Sequence, residues 1–135
     1  MMFTAWPDGN FELGAGAVLC ALGRGGVTAA QDKVEGDGKS PAGVWAIRRV
    51  LYRPDRGPAP ATAFPVTAIV PTDGWCDDPA DSAYNRPVAL PYPASCETMG
   101  REDELYDVVV ILAHNDDPPV PGKGSAIFLH CAKPG

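Results

Sequence analysis

The chain has 135 residues, of which 45% are hydrophobic and 21% are charged, and its formal net charge at pH 7 is −6. This length fits one compact domain with its own core. No cluster of Lys and Arg is available to follow a phosphate backbone, which argues against a nucleic-acid partner. The 15 glycines and 15 prolines are spread along the chain and favour a mainly β fold with frequent turns.

No segment reaches the roughly 18–20 apolar residues of a membrane span, so no membrane-spanning helix is predicted. Leu13–Leu22 is the best candidate for an export signal. Asp8 and Glu12 precede it, whereas an export signal begins with basic residues. We therefore expect either a cytoplasmic protein or a chain whose natural N-terminus lies further upstream.

Strands are predicted where β-branched, aromatic and other apolar residues run between turn signals. In chain order these segments are Val18–Leu22, Val44–Tyr52, Phe64–Val70, Val108–Ala113 and Ala126–Ala132. Val108–Ala113 is a continuous apolar run, which is typical of a central strand covered on both faces. Thr72–Pro93 shows no periodicity and is predicted to be a long loop that lines a site. Ser95–Leu105 is predicted to be the one short helix, with Ser95 as its N-cap.

The segment Gly36–Ser40 superficially resembles the end of a phosphate-binding loop of the Walker A type. That motif requires glycine where this chain has Lys33, and it requires a helix after Ser40. Pro41 leads into a predicted strand instead, so we expect a tight turn and no nucleotide site.

The four cysteines are far apart and form no CxxC pair, so the sequence predicts no metal site and no cofactor. Cys76 and Cys96 flank one loop-rich segment, and they could pair in an oxidising compartment. The other interpretation, four separate thiols, stays open.

His130 and Cys131 are adjacent in a predicted strand, where successive side chains point to opposite faces. Cys131 therefore cannot pass its proton to the His130 ring, and it is expected to be a small buried apolar residue. His130 is either structural or catalytic on its pattern alone. His114, at the end of the central strand, is expected to be structural.

Several segments together resemble the catalytic domain of the peptidoglycan L,D-transpeptidases (YkuD-like). The strongest matches are Glu35 with Gly36–Gly43, which is similar to the family's EGDGxTPxG segment, and Pro121–His130. Between them lie Trp75, Asp77–Pro79, Tyr84–Arg86 and Tyr106–Asp107. The order and spacing of these segments cover nearly the whole chain, and the resemblance implies a single mainly β domain over residues 1–135.

The resemblance implies that His130 begins the family's His…(Ser/Thr)-x-Gly-Cys signature and is the catalytic base. It also implies substrate contacts at Trp75, Tyr84, Asn85 and Arg86, because aromatic faces hold stem-peptide carbons and arginine pairs with carboxylates. Only five residues follow His130 here. We therefore expect a domain that ends before the nucleophilic cysteine, is inactive as it stands, and leaves the last strand free to self-associate.

Three functions remain open on the sequence. The first is acyl transfer between peptidoglycan stem peptides through a cysteine thioester, and the second is an L,D-carboxypeptidase-like hydrolysis in which water is the acceptor. The third is a module that binds stem peptides without turnover. Each implies a bacterial protein that works in the periplasm or facing the cell wall.

Overall fold

The computed structural model describes residues 1–133. The chain is mainly β, as predicted, and it divides into two compact units, unit 1 (Met1–Gly43) and unit 2 (Val44–Gly135). The strands are β1 (Thr4–Ala5), β2 (Asn10–Glu12), β3 (Ala17–Leu19), β4 (Val27–Ala29), β5 (Ser40–Ala42), β6 (Ile47–Tyr52), β7 (Val66–Ala68), β8 (Asp73–Cys76), β9 (Pro87–Ala89), β10 (Cys96–Thr98), β11 (Val108–Leu112) and β12 (Phe128–His130).

Unit 1 contains two small sheets. Strands β1, β2 and β3 form an antiparallel meander, and β4 pairs with β5 in parallel. A single 3₁₀ turn (Ala30–Asp32) follows β4. A tight turn through Gly36 and Gly38, which have φ angles of 79° and 67°, then leads into β5. A strand thus follows Ser40, in agreement with the predicted turn and not with a phosphate-binding loop.

The carboxylate of Asp37 holds that turn together. It accepts hydrogen bonds from the Lys33 ammonium at 2.6 Å, from the Lys39 N–H at 2.9 Å and from the Val34 N–H at 3.1 Å. Lys33 is buried, and a buried ammonium is stable only when it is paired. The Asp in the family-like segment therefore has a structural role in unit 1.

Unit 2 contains a four-stranded sheet in the order β12-β11-β6-β7 and a three-stranded sheet in the order β10-β8-β9. Strand β11 is central in the first sheet, as its apolar run predicted. Val109 and Ile111 are buried on one face of β11, while the side chains on its other face are only half-buried.

The core of unit 2 lies where the two sheets and the chain around Tyr106 bring apolar side chains together. Its buried members are Ile69, Trp75, Met99, Tyr106, Val109 and Ile111. Trp75 of β8 meets Phe128 of β12 edge to face, with ring centroids 5.0 Å apart. This contact connects the strand that carries Trp75 with the strand that carries His130.

The predicted helix at Ser95–Leu105 is wrong. The segment begins with strand β10, whose Glu97 pairs with Trp75 across the sheet. Ser95 does not cap a helix, because its carbonyl accepts a hydrogen bond from the Asp77 N–H at 3.1 Å. The backbone of this segment thus pairs with β8, about 20 residues earlier in the chain, and this pairing overrides the local helix signals.

The predicted long loop at Thr72–Pro93 is wrong in part, because it contains β8 and β9. These strands have four and three residues, too short to show a period in the sequence. The predicted last strand begins later than expected. Ala126 has a φ of 55°, which is incompatible with an extended strand, so β12 covers only Phe128–His130.

Candidate functional site

A cavity of about 410 Å³ opens in unit 2, between the two sheets. Its apolar walls include Leu51, Trp75, Met99, Ile111 and Phe128, which also belong to the core or pack on it. Its polar walls are Arg48, Arg49, Thr67, Asp73, Asn85, Arg86 and Asp116. An apolar cleft with a few convergent polar groups is the usual form of a small-ligand site.

A β-bulge explains why two consecutive arginines line the same cavity. Ile111 of β11 pairs with Arg49, but the next residue, Leu112, pairs with Ile47, so Arg48 is the extra residue. Neighbouring strand residues normally point to opposite faces, and a bulge changes the direction of a side chain. Both arginines therefore line the cavity.

The cavity arginines differ in their partners. Arg48 makes a two-point contact with Asp116, from Nε at 2.9 Å and from Nη2 at 3.2 Å. Arg49 and Arg86 are exposed, and neither guanidinium has an ion pair within residues 1–133. A guanidinium binds a carboxylate through two parallel N–H groups, so these two arginines are suited to an anionic ligand.

Asn85 holds three parts of the site together. Its Oδ1 accepts from Trp75 Nε1 and from the Ala126 N–H, both at 3.0 Å. Its Nδ2 donates to the carbonyls of His114 at 3.1 Å and Asn115 at 2.7 Å. An amide has two acceptor and two donor positions, so these four bonds use its full capacity. The contacts give Asn85 a structural role, and its predicted contact with substrate stays a prediction.

Tyr84 is also buried, with 3% of its surface exposed, and it is not among the residues that line the cavity. Its hydroxyl accepts a hydrogen bond from the Gly124 N–H at 3.0 Å. Of the four predicted substrate residues, the structure therefore brings Trp75, Asn85 and Arg86 to the cavity. Tyr84 instead binds the backbone of the loop that contains Gly124.

His130 is exposed at the end of β12, and its Nδ1 lies 2.8 Å from the Cys131 carbonyl. A carbonyl oxygen can only accept, so Nδ1 carries the proton of this hydrogen bond. In the neutral ring the other nitrogen, Nε2, is then the basic one. A histidine orientated in this way is able to take a proton from a nearby acid.

The Tyr106 ring supports His130. The two ring centroids are 5.3 Å apart at an angle of 67°, and the Arg101 guanidinium lies 5.2 Å from the Tyr106 centroid. The Tyr106 hydroxyl donates to Glu97 Oε2 at 2.6 Å. Burial, followed by the negative charge of Glu97, raises the pKa of Tyr106 well above its usual range. Tyr106 therefore stays neutral and is a fixed surface for the imidazole.

The contacts around β12 agree with the prediction that the Cys131 thiol does not reach the His130 ring, but the predicted burial of Cys131 is wrong, because this residue is only half-buried. Phe128 and His130 both touch Tyr106, which shows that they share a face. The Cys131 sulfur instead lies 3.9 Å from the Val108 carbonyl. The ring of His130 thus contacts the carbonyl of Cys131 and not its thiol.

Sequence reasoning missed Arg49 and the paired Arg48. The signal was the sequence Ile-Arg-Arg-Val-Leu-Tyr, in which two charges interrupt an otherwise apolar strand. A bulge was one way to accommodate them, but it depends on pairing with β11, which the sequence does not display.

Within residues 1–133, no group of three or more His, Cys, Asp or Glu side chains is arranged to hold a metal ion. The same part of the chain contains no helix with the length and apolar character needed to cross a membrane.

Unit 2 is thus a mainly β unit with an apolar cleft lined by arginines, and His130 is not among the residues that line this cleft. A family model for the L,D-transpeptidase catalytic domain (YkuD) matches residues 2–134, and the chain belongs to this family. The family is cysteine-dependent, acts on peptidoglycan stem peptides and generally works at the cell wall or in the periplasm. No curated protein and no solved structure matches the chain significantly.

Proposed function

We propose that this chain provides the general base and the substrate cleft of an L,D-transpeptidase, with His130 as the base. The observation that carries the proposal is the hydrogen bond between His130 Nδ1 and the Cys131 carbonyl at 2.8 Å, which leaves Nε2 to accept a proton. The family match over residues 2–134 supplies the reaction class.

In the proposed reaction, Nε2 of His130 takes the proton of a cysteine thiol, whose ordinary pKa of about 8.5 keeps it mostly protonated at neutral pH. The thiolate attacks the carbonyl of an L-residue that is joined to a D-residue. Backbone N–H groups stabilise the oxyanion. The amine of the D-residue leaves with the proton from His130. An acceptor amine then attacks the thioester and loses a proton to His130, and the C–S bond breaks to release the cysteine thiolate.

The cysteines of unit 2 are poor candidates for the nucleophile. The Cys131 sulfur is directed to the Val108 carbonyl, and Cys76 is fully buried. Burial, and then the neighbouring Cys76, raise the pKa of Cys96, which disfavours its thiolate. We therefore propose that the thiol belongs to a (Ser/Thr)-x-Gly-Cys segment downstream of His130, and that the 135 residues alone do not turn over.

For the substrate, we propose that Arg49 and Arg86 pair with stem-peptide carboxylates and that the Trp75 wall contacts the stem carbons. Both arginines line the cavity and lack an ion pair within the described residues. Tyr84 and Asn85 act on substrate indirectly, because they hold the loops that shape the cleft.

The reaction is tested with a disaccharide-tetrapeptide stem as substrate and mass spectrometry of the products. We expect no turnover by the 135-residue protein and cross-linked dimer from the same protein extended by the downstream codons of its gene. In the extended protein, His130→Gln should lower kcat by about 10²–10⁴-fold. Cys131→Ala is the control and should keep full activity. Activity unaffected by His130→Gln would disprove the assignment of the base.

The cleft is tested separately by binding of the same stem to the 135-residue protein in calorimetry. Loss of a charge-assisted contact costs about 1.5–3 kcal/mol, so Arg49→Ala and Arg86→Ala should each weaken binding by roughly 10-fold or more. Arg24→Ala, an exposed substitution in unit 1, is the control. Equal affinity of all four proteins would contradict the cleft assignment.

These experiments also separate the alternative functions. Release of the terminal D-residue without a cross-linked product would indicate the L,D-carboxypeptidase-like hydrolase. Binding without any turnover, even by the extended protein, would indicate a module that only binds stem peptides.

We further propose that the domain works in the periplasm or facing the cell wall, as its family generally does.

We also propose that the protein self-associates through β12. Strand β12 is at the edge of its sheet, and Leu129 is 37% exposed there. Sedimentation velocity should show dimers as the concentration rises, and a strictly monomeric protein at high concentration would refute this.

A further inference from the structure

Cys76 and Cys96 lie directly opposite each other on neighbouring antiparallel strands, β8 and β10. The next pair along the ladder, Asp77 and Ser95, is joined by a backbone hydrogen bond of 3.1 Å. Bonded and non-bonded pairs alternate in an antiparallel ladder. Cys76 and Cys96 are therefore a non-hydrogen-bonded pair.

The other backbone contacts of Cys76 agree with this arrangement. Its N–H donates to the Arg86 carbonyl and its carbonyl accepts from the Asn85 N–H, both at 2.9 Å. The hydrogen-bonding groups of Cys76 thus face away from β10. In a non-hydrogen-bonded pair the Cα atoms are about 4.5 Å apart, with the side chains close together. Disulfides span Cα separations of about 4.4–6.8 Å, so the usual spacing of such a pair lies within the range that a disulfide bridges.

We propose that Cys76 and Cys96 are a modification site at which a disulfide oxidant forms a cross-strand disulfide. Both side chains are free thiols in this structure. This inference is independent of the proposed transpeptidase reaction, since neither sulfur takes part in it.

The chemistry requires a disulfide such as oxidised glutathione as the electron acceptor. Cys96 is half-buried and Cys76 is fully buried, so Cys96 reacts first. Its thiolate attacks one sulfur of the oxidant, forms a mixed disulfide and releases one reduced thiolate. The Cys76 thiolate then attacks the Cys96 sulfur and releases the second reduced thiolate. Two protein thiols lose their protons and two electrons, and the oxidant becomes two thiols.

The bridge would enclose the segment that builds the cleft. Trp75 precedes Cys76, and the chain between the two cysteines carries Asn85 and Arg86. Closing a loop of about 20 residues removes conformational freedom from the unfolded chain and stabilises the fold. The disulfide would therefore join β8 to β10 covalently, next to Trp75 of the cleft wall.

The proposal is tested by refolding the 135-residue protein in a glutathione redox buffer, where access to the buried thiol is not limiting. The product is alkylated and cleaved at aspartate, which separates the two cysteines, and the peptides are analysed without reduction. We expect one linked pair, Cys76 with Cys96, and alkylated Cys20 and Cys131. Four alkylated cysteines, or a mixture of pairings, would overturn the proposal.

Thermal unfolding is the second readout. The oxidised protein should melt on the order of 10 °C above the reduced protein, and dithiothreitol should abolish the difference. Cys96→Ser should remove the redox dependence, whereas the matched control Cys20→Ser should retain it. If Cys96→Ser fails to fold, the peptide analysis of the unsubstituted protein still shows whether Cys76 and Cys96 are linked. A melting temperature that does not respond to the redox buffer would count against a stabilising disulfide between Cys76 and Cys96.

Discussion

Two asparagines with positive φ, Asn85 at 55° and Asn115 at 51°, organise the loops beside the cleft. Asn115 Nδ2 donates to the carbonyls of Val120 at 3.0 Å and Gly124 at 2.9 Å, while its Oδ1 accepts from the Val120 N–H at 2.8 Å. Asparagine tolerates the left-handed region better than most residues and can bond to nearby backbone groups. The side chains of these two residues thus bond backbone groups that no helix or strand satisfies in these loops.

Asn85→Ala should destabilise the protein severely. The substitution removes four hydrogen bonds and leaves the Trp75 indole N–H and backbone groups without their partner in a buried region. We expect a loss of about 3 kcal/mol in the free energy of unfolding, measured with urea. Exposed Asn10→Ala is the control and should cost less than about 1 kcal/mol. Equal losses for both variants would contradict the role assigned to Asn85.

The lowered pKa of Asp37 predicts that the stability of the protein depends on pH. Burial opposes its ionisation, but the hydrogen bonds from Lys33 and the backbone outweigh this and lower the pKa of Asp37 from 3.8 to about 2. Because the folded-state pKa is lower than the unfolded one, the stabilisation is complete above about pH 4 and is lost as the pH falls towards 2. The unfolding free energies of wild type and Asp37→Asn should therefore differ most above pH 4 and converge near pH 2. A difference that is constant with pH would refute this.

At the scale of elements, β6 shows how one irregularity creates a functional surface. The pairing of β6 with β11 is regular over the four residues from Arg49 to Tyr52, and the register shifts at Arg48. A regular strand would direct one of the two arginines to the opposite face. The bulge instead gives the cleft one arginine paired with Asp116 and one available for a ligand.

The close packing of the chain around β4 and β5 predicts that adding one methyl group at Gly23 destabilises the protein. A Cβ atom on Gly23 would overlap the Gly38 carbonyl oxygen, which belongs to the backbone and cannot rotate away. Gly23→Ala should therefore cost about 2 kcal/mol or more by urea unfolding. Gly16→Ala is the matched control, because a Cβ there meets no atom within 4 Å. Similar stability of the two variants would show that the backbone yields easily at Gly23.

At the scale of the whole molecule, the buried apolar core belongs to unit 2. Its six buried members lie between Ile69 and Ile111. In unit 1, the buried residues among those described are Lys33 and Pro41, whereas Phe3, Trp6 and other large apolar side chains are exposed. The two units therefore differ in what stabilises them, although the family match extends over both.

Residues 44–135 expressed alone should fold cooperatively, since this segment contains its own core. Residues 1–43 alone should not, because chains near 40 residues seldom bury enough surface without a metal, a disulfide or a partner. Urea unfolding and the dispersion of amide NMR signals would measure both fragments. An unfolded 44–135 fragment would instead support the expectation of a single domain over residues 1–135, which otherwise stays a prediction.

The sequence by itself determined the β class, the central position of β11, the separation of the Cys131 thiol from the His130 ring, and the family. Each of these depends on local composition, on the alternation of side chains along a strand, or on a motif. The tertiary structure alone decided the existence of β8, β9 and β10, the bulge at Arg48 and the opposition of Cys76 and Cys96. These features arise when short segments distant in sequence pair through their backbones. A strand of three or four residues has too few side chains to indicate in the sequence which strand it pairs with. The pairing is therefore visible only in the folded sheet.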